Sequence, residues 1–451
     1  MTRLFGTDGI RGVANEELTP ELAYNVGRAG AYILSKGKKG KILVGKDTRI
    51  SGDMLESAIM AGITSMGIDA VSVGIIPTPA VAYLTRKYNA LAGVVISASH
   101  NPGEYNGIKF FSNKGLKLPD QVEDEIEDII LGNTQLDIRP IGSHVGRIYR
   151  ETNAGEDYKK FLKSTIDLDL TGLKIAMDCG HGALYKIGPE IIRELNGEVI
   201  VINDSPNGMN INDGCGSTNP DMIKKLVLDT GADMGISFDG DGDRIIAVDN
   251  NGELVDGDHI LAICATHLKE NGKLSKDTVV GTIMSNMGLD IYLKENEMNI
   301  VKTAVGDRYV LEEMLDSGYI IGGEQSGHII FLEYNTTGDG LATGLHLLEV
   351  MKFSGKTMAE LNNLMVDYPQ VLVNAKVKND MKYRYMENEE IRCEIEKIEE
   401  MFHNEGRVVI RPSGTEPLVR VMIEGKNQEE ITNIAKDLAV FIEERIGMGD
   451  I

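Results

Sequence analysis

Short β-branched runs alternate with amphipathic helical stretches along most of this 451-residue chain, and the alternation restarts twice after its first round. Parallel strands need a crossover, usually a helix, so this alternation predicts doubly wound sheets that are mixed or parallel. Thr19-Pro20 reads as the N-cap and first residue of a helix over 20–35. Strands follow at 41–45, 69–73 and 93–96, with helices after Ser51 and at 80–87 between them. A strand at 108–111, an acidic helix at 119–131 and a loose connector from Gly132 to Gly142 complete the first round. The pattern restarts at Asp157 and again near Val255. The last stretch differs: a strand at 371–377, a charged helix at 385–402, strands at 407–410 and 419–424, and a terminal helix at 428–446. So long a chain divides into several cores. The prediction is three sequential α/β domains, 1–153, 154–254 and 255–367, and a smaller C-terminal α+β domain, 368–451.

Charge narrows the ligands. Sixty-nine acidic against 46 basic residues give a formal charge of −23, which argues against a nucleic-acid surface, and the absence of Trp removes stacking platforms. An anionic substrate then needs a local cluster of Arg and Lys that opposes the overall field. The four cysteines are scattered, with no Cys-x-x-Cys pair, so no zinc site or disulfide framework is expected. No basic-plus-apolar leader and no apolar run of membrane length is present, and a cytoplasmic protein is expected.

In open α/β sheets ligands bind beyond the carboxyl ends of the strands, and the polar, glycine-rich segments of this chain fall there. Ser97-Ala98-Ser99-His100-Asn101-Pro102 follows the apolar run Gly93–Ile96. His100, Asn101 and Lys109 can surround the Ser99 hydroxyl with donors and one potential base, as suits a serine that carries or transfers a charged group. Near the N-terminus, Gly6-Thr7-Asp8-Gly9-Ile10-Arg11-Gly12 sets a fixed cation, Arg11, among glycines.

The sharpest signal is Asp239-Gly240-Asp241-Gly242-Asp243-Arg244, at the end of the apolar strand 234–238. Three carboxylates at alternate positions can turn their oxygens to one point, which is tolerable only around a cation. An EF-hand loop fails: its sixth position is Arg244, its twelfth is Asn250, and its flanks read as strands. Few carboxylates with room for a phosphoryl oxygen favour Mg²⁺, and Arg244 can grip the same phosphate. Farther on, Gly306-Asp307 caps a strand and opens a helix. In Gly323-Glu324-Gln325-Ser326-Gly327-His328, Glu324 and Ser326 are spaced to face one side of an extended loop, as sugar-hydroxyl ligands would be. Arg411-Pro412-Ser413-Gly414-Thr415, with Arg420 beyond, offers two guanidinia, two hydroxyls and exposed backbone N–H groups: a phosphate cradle without a Walker pattern.

A serine, a metal beside it, sugar-hydroxyl ligands and a separate anion site make a phosphosugar the economical ligand. The five motifs, in this order and over essentially the whole chain, resemble the α-D-phosphohexomutase superfamily, in particular its bacterial amino-sugar branch. The resemblance implies four domains around a central cleft, one Mg²⁺ per chain and a covalent phosphate on Ser99. It implies metal ligands Ser99, Asp239, Asp241 and Asp243, and catalytic roles for Arg11, His100, Lys109 and His328, with Lys109 ahead of His328 as acid–base group. Substrate contacts are then expected from Arg244, Gly306, Asp307, Glu324, Ser326, Arg411, Ser413, Gly414, Thr415 and Arg420. The implied reaction interconverts glucosamine 6-phosphate and glucosamine 1-phosphate through glucosamine 1,6-bisphosphate, feeding UDP-N-acetylglucosamine synthesis. Glucose or mannose phosphates on the same fold are the alternative, and a homodimer is implied.

Overall fold

The computed structural model describes residues 3–6, 8–403, 405–413 and 416–447. Packing separates two compact units, one running to Thr282 and resuming over Thr303–Leu364, the other holding Ile283–Lys302 and the chain from Met365. Among the described residues, no helix is long and apolar enough to cross a membrane.

In the first unit, a six-stranded sheet runs in the order Ile10–Val13, Tyr105–Ser112, Ala92–Ile96, Lys41–Lys46, Asp69–Ile75, Ile148–Arg150. Its centre is parallel, as the crossover pattern predicts, because Lys41–Lys46 pairs in parallel with both Ala92–Ile96 and Asp69–Ile75. The flank is antiparallel: Ala92–Ile96 and Tyr105–Ser112 pair with Val95 opposite Lys109, so the chain leaves the central strand, makes the Ser99 loop and returns directly. All five residues of Ala92–Ile96 are buried. The helix Pro20–Ser35 starts as expected, with the Leu22 N–H donating to Thr19 Oγ1 at 3.2 Å.

The second sheet has the order Leu254–Val255, Ile245–Asp249, Met234–Phe238, Lys174–Asp178, Glu198–Ile202. Ile245 lies opposite Phe238 in an antiparallel pair, which makes residues 239–244 a tight connection between two buried strands. In the same unit Thr278–Thr282, Ile321–Gly323 and Ile329–Phe331 are neighbouring strands of the third sheet.

The second unit is an antiparallel sheet, Gln370–Lys376, Leu418–Gly425, Gly406–Pro412, backed by the helices Glu389–Phe402 and Gln428–Ile446. Their apolar faces make one core that includes Ile391, Val421 and Leu438. Residues 283–302 join this unit: the Asn286 side chain donates to Tyr368 O at 2.9 Å and accepts from Tyr368 N at 3.0 Å.

Some elements depart from the sequence expectation. The charged helix begins at Glu389, not 385, because Asn388 caps it, its side chain accepting from the N–H groups of Glu390 and Ile391. Ile10–Val13, inside the opening glycine-rich segment, is a strand, since it pairs with Tyr105–Ser112. The strand Ile148–Arg150 and the helices Gly340–Ser354 and Met358–Asn362 had no separate sequence reading.

Candidate phosphoryl-transfer site

The loop ends of three consecutive sheets meet within the first unit. Ser99, at the turn out of Ala92–Ile96, is buried and has a φ of 51°. A left-handed backbone costs an L-residue about 1–2 kcal/mol, so its surroundings must hold it there. Its Oγ donates to Asp239 Oδ2 at 2.6 Å and lies 3.4 Å from His100 Nδ1. The Asp239 loop comes this close because residue 240 is glycine: a Cβ there would stand 2.6 Å from the Ser99 carbonyl oxygen.

Asp239, Asp241 and Asp243 are all buried, and an oxygen from each lies within 4.8 Å of the others. The remaining oxygens are divided. Asp239 Oδ1 accepts the Arg244 N–H at 3.2 Å. Asp241 Oδ2 accepts Thr78 Oγ1 at 2.7 Å and Lys109 Nζ at 3.0 Å. Among the described residues, the buried Asp241 Oδ1 and Asp243 Oδ1 have no hydrogen-bond partner. Burial, then the charges of Asp243 and Asp241, pushes Asp239 well above the usual carboxylate range. A site with two orphaned anionic oxygens and mutual repulsion among its acids suits a small hard cation.

A ring of alternating charges surrounds the triplet. Lys109 Nζ bridges Asp241 and Asp8, at 3.0 and 2.8 Å, and Lys117 Nζ bridges Asp8 and Asp307, at 2.7 and 2.6 Å. Asp307 Oδ2 is 3.4 Å from His328 Nε2, and His328 Nδ1 is 3.6 Å from Asp243 Oδ2. Burial alone would lower Lys109, but Asp241 and Asp8 outweigh it and hold the ammonium above its ordinary range. His328 is pulled both ways: burial lowers it, Asp243 and Asp307 raise it, and the net direction is upward. The Gly338 N–H nevertheless donates to His328 Nε2 at 2.9 Å. That contact is shorter than either carboxylate approach and needs the lone pair, so this arrangement holds the neutral ring with its proton on Nδ1.

Arg11 pairs with Asp8 and is only partly exposed, and the buried Nε atoms of Arg11 and Arg244 have no partner among the described residues. Burial, then the charges of Arg244 and Arg11, pushes His100 below its ordinary value, so both guanidinia act on the Ser99 loop. Glu324 Oε1 accepts the Gly306 N–H at 3.1 Å, and Ser326 is exposed at the tip of its loop. The loop is seated by backbone bonds from Ile245 N to Gly327 O and from Gly257 N to Gln325 O.

In the second unit, Arg411 and Arg420 are direct partners across the antiparallel pair. Burial, then the Arg420 charge, lowers Arg411, whose buried Nε has no partner among the described residues. Ser413 is buried, its Oγ accepting the Glu416 N–H at 3.2 Å. Gly414 and Thr415 lie outside the described residues.

Sequence reasoning did not single out Asp8, Asp47, Arg49, Thr78, Lys117 or Asn212. Asp8 lies inside the opening glycine-rich motif, Asp47 and Arg49 in the polar loop 46–52 after a strand, Thr78 in the turn Pro77-Thr78-Pro79 and Asn212 in the Asn/Gly-rich loop 205–219, whereas nothing local marks Lys117.

A serine seated on a buried acidic triplet, with loops from three α/β sheets around it and paired arginines on a separate antiparallel sheet, defines a multidomain protein of phosphohexomutase architecture. The family models agree in order: Phosphoglucomutase/phosphomannomutase alpha/beta/alpha domain I matches residues 2–137, domain II 156–252, domain III 256–368 and the C-terminal domain 372–440. The chain belongs to the phosphoglucomutase/phosphomannomutase family. It is 61% identical to a phosphoglucosamine mutase of Alkaliphilus oremlandii, over 99% of this chain and 100% of the relative. The fold is similar to a phosphoglucomutase/phosphomannomutase family protein of Burkholderia thailandensis, with a TM-score of 0.83, 22% identity and coverage of 100% and 99% of the two chains. It is also similar to Aspergillus fumigatus N-acetylphosphoglucosamine mutase, solved with GlcNAc-6P and magnesium, with a TM-score of 0.71, 17% identity and coverage of 98% and 95%.

Proposed function

We propose that this chain is an isomerase that interconverts glucosamine 6-phosphate and glucosamine 1-phosphate, through a phosphorylated Ser99 and a glucosamine 1,6-bisphosphate intermediate, and so feeds UDP-N-acetylglucosamine synthesis. The observation that carries it is the Ser99 hydroxyl, buried and 2.6 Å from Asp239 within an acidic triplet that has two oxygens unpartnered among the described residues. Full-length likeness to phosphoglucosamine mutases selects the amino sugar over glucose or mannose.

In the forward half-reaction the P–Oγ bond at Ser99 breaks and a bond to the sugar 1-oxygen forms. Lys109 gives a proton to the leaving Ser99 Oγ and recovers the one that the sugar hydroxyl loses. The second half-reaction reverses the traffic at the 6-position. Arg11 and Arg244 offset the phosphoryl charge, and Lys109, fixed as a cation, does the same and can donate a proton. His328, its Nε2 occupied by Gly338, is the weaker acid–base candidate, and His100 orients the serine loop. Ser99, Asp239, Asp241 and Asp243 would hold one Mg²⁺, which supplies further charge neutralisation on the transferring group when bound. Glu324 and Ser326 contact sugar hydroxyls, and Gly306 and Asp307 support that contact. Arg411, Ser413, Gly414, Thr415 and Arg420 take the phosphate that is not being transferred.

Domain boundaries after 153, 254 and 367 are part of this reading, as is a cytoplasmic location. So is a homodimer.

The test pairs intact mass with kinetics. Exposure to glucosamine 1,6-bisphosphate is expected to leave one added phosphoryl group on Ser99, and Ser99→Ala is expected to lose at least about a thousandfold in turnover. Parental turnover in Ser99→Ala would remove the assignment.

A further inference from the structure

The groups that hold Ser99 in its left-handed backbone come from two different sheets. The Ser99 N–H donates to Ser97 Oγ at 3.0 Å, and Ser97 Oγ donates to Asp47 Oδ2 at 2.5 Å. The Ser99 carbonyl accepts from Asn212 Nδ2 at 2.8 Å and from Arg49 Nη2 at 3.3 Å. The same two side chains reach the carbonyl of Asn101: Asn212 Nδ2 stands 3.1 Å away, and Arg49 Nη2 donates to it as well. Arg49 is in turn paired with Asp47, and the Asn212 N–H donates to Gly180 O at 3.0 Å. Asp47, Arg49 and Asn212 are all buried. The serine loop is therefore gripped on one side by the strand-end loop of its own sheet, and on the other by the Asn/Gly-rich loop of the second sheet.

Resting on the reading of Ser99 as the phosphoryl carrier, we propose that Asn212 and Arg49 are positioning residues for the transfer. By drawing the Ser99 and Asn101 carbonyls to one side, they keep Ser99 left-handed and aim its Oγ at Asp239. Each half of this arrangement needs the other. If Ser99 relaxed to negative φ, its peptide plane would turn. The carbonyl would then leave Asn212 and be buried without a donor, and Oγ would leave Asp239. Asn212 also comes from the domain that carries the acidic triplet, so one amide sets the serine relative to the acids it must meet.

The test uses the full-length protein. Asn212→Asp keeps the size of the side chain but turns an acceptor toward two carbonyls. It is expected to lower kcat about ten- to a hundredfold, the effect of a small misplacement of the reacting atom. Michaelis constants should stay near parental, and phosphoryl incorporation into Ser99 from glucosamine 1,6-bisphosphate, followed by intact mass, should slow in parallel. A parental kcat, or a raised Michaelis constant with kcat unchanged, overturns the proposal. Should Asn212→Asp not fold, Arg49→Lys replaces the fork with a single ammonium donor. It is expected to show the same loss confined to kcat, and a parental kcat there overturns the proposal too. Ser99→Ala measured alongside separates the two readings. An inactive Ser99→Ala beside a parental Asn212→Asp removes only the positioning role, whereas an active Ser99→Ala removes the phosphoryl-carrier reading itself.

Discussion

Lys109 and Glu123 show how burial and partners decide the charge of a single group. Desolvation acts on both. Lys109 is answered by two carboxylates within hydrogen-bond reach and stays a cation. Glu123 has Arg3 at 3.5 Å, half-exposed, and the repulsive Asp120 nearby, so burial wins and its carboxyl is pushed up to about 7. The folded chain then holds that proton more tightly than the unfolded chain, whose carboxyl keeps its ordinary value of 4.5. Stability from this group is therefore full below the ordinary value and is lost as the pH rises through about 7. Glu123→Gln removes the loss, so its thermal midpoint should gain on the parent's between pH 5 and pH 8; a gap that does not change with pH would disprove the assignment. Lys109 was legible in the sequence, since a lysine within an apolar strand beside the serine loop needs a reason. Its partner Asp8 and the bridging Lys117 stand 109 residues apart, and only closure of the sheet brings them together.

At the scale of elements, the loop 239–244 is positioned by what packs beneath it as much as by its own residues. The strand before it and the alternation of acids and glycines were readable from local pattern. The helix Gly340–Ser354 was not, although its Gly340 N–H donates to Gly242 O at 3.0 Å. Eleven of its fifteen residues are buried, so it has no polar face to give a helical period. Ser99 and Asp239 were each readable from their motifs, but their 2.6 Å contact depends on the tertiary approach that Gly240 permits. With Asp241 Oδ2 already committed to Thr78 and Lys109, its Oδ1 is what a cation can use. Asp241→Asn preserves shape and removes charge. It should raise the Mg²⁺ concentration for half-maximal activity at least about tenfold while leaving the circular dichroism spectrum intact. An unchanged metal requirement in a titration of EDTA-treated protein would separate Asp241 from the metal.

For the whole molecule, the net charge of −23 should repel a phosphate group, yet the proposed substrate carries one. Screening resolves the conflict. At physiological ionic strength the Debye length is about 8 Å, so the guanidinia nearest the ligand outweigh distant surface acids. The pair Arg411 and Arg420 would serve this on the proposed reading: they face each other across two strands, the buried Arg411 Nε is unpartnered among the described residues, and Glu416 comes only within 3.8 Å of Arg420. Two adjacent like charges with so little compensation among the described residues raise the free energy of the sheet, and a phosphate bound there, as proposed, would relieve it. On the proposed reading this phosphate is not the one transferred, so its contacts are expected to be equal in the ground and transition states. Arg420→Ala should then raise the Michaelis constant for glucosamine 6-phosphate at least about tenfold, the loss of one charge-assisted hydrogen bond, and change kcat by no more than a few fold. Steady-state kinetics at fixed Mg²⁺ and bisphosphate decide it. A fall in kcat at constant Michaelis constant would show that Arg420 acts on the transition state, and the division between a reacting and an anchoring phosphate would have to be redrawn.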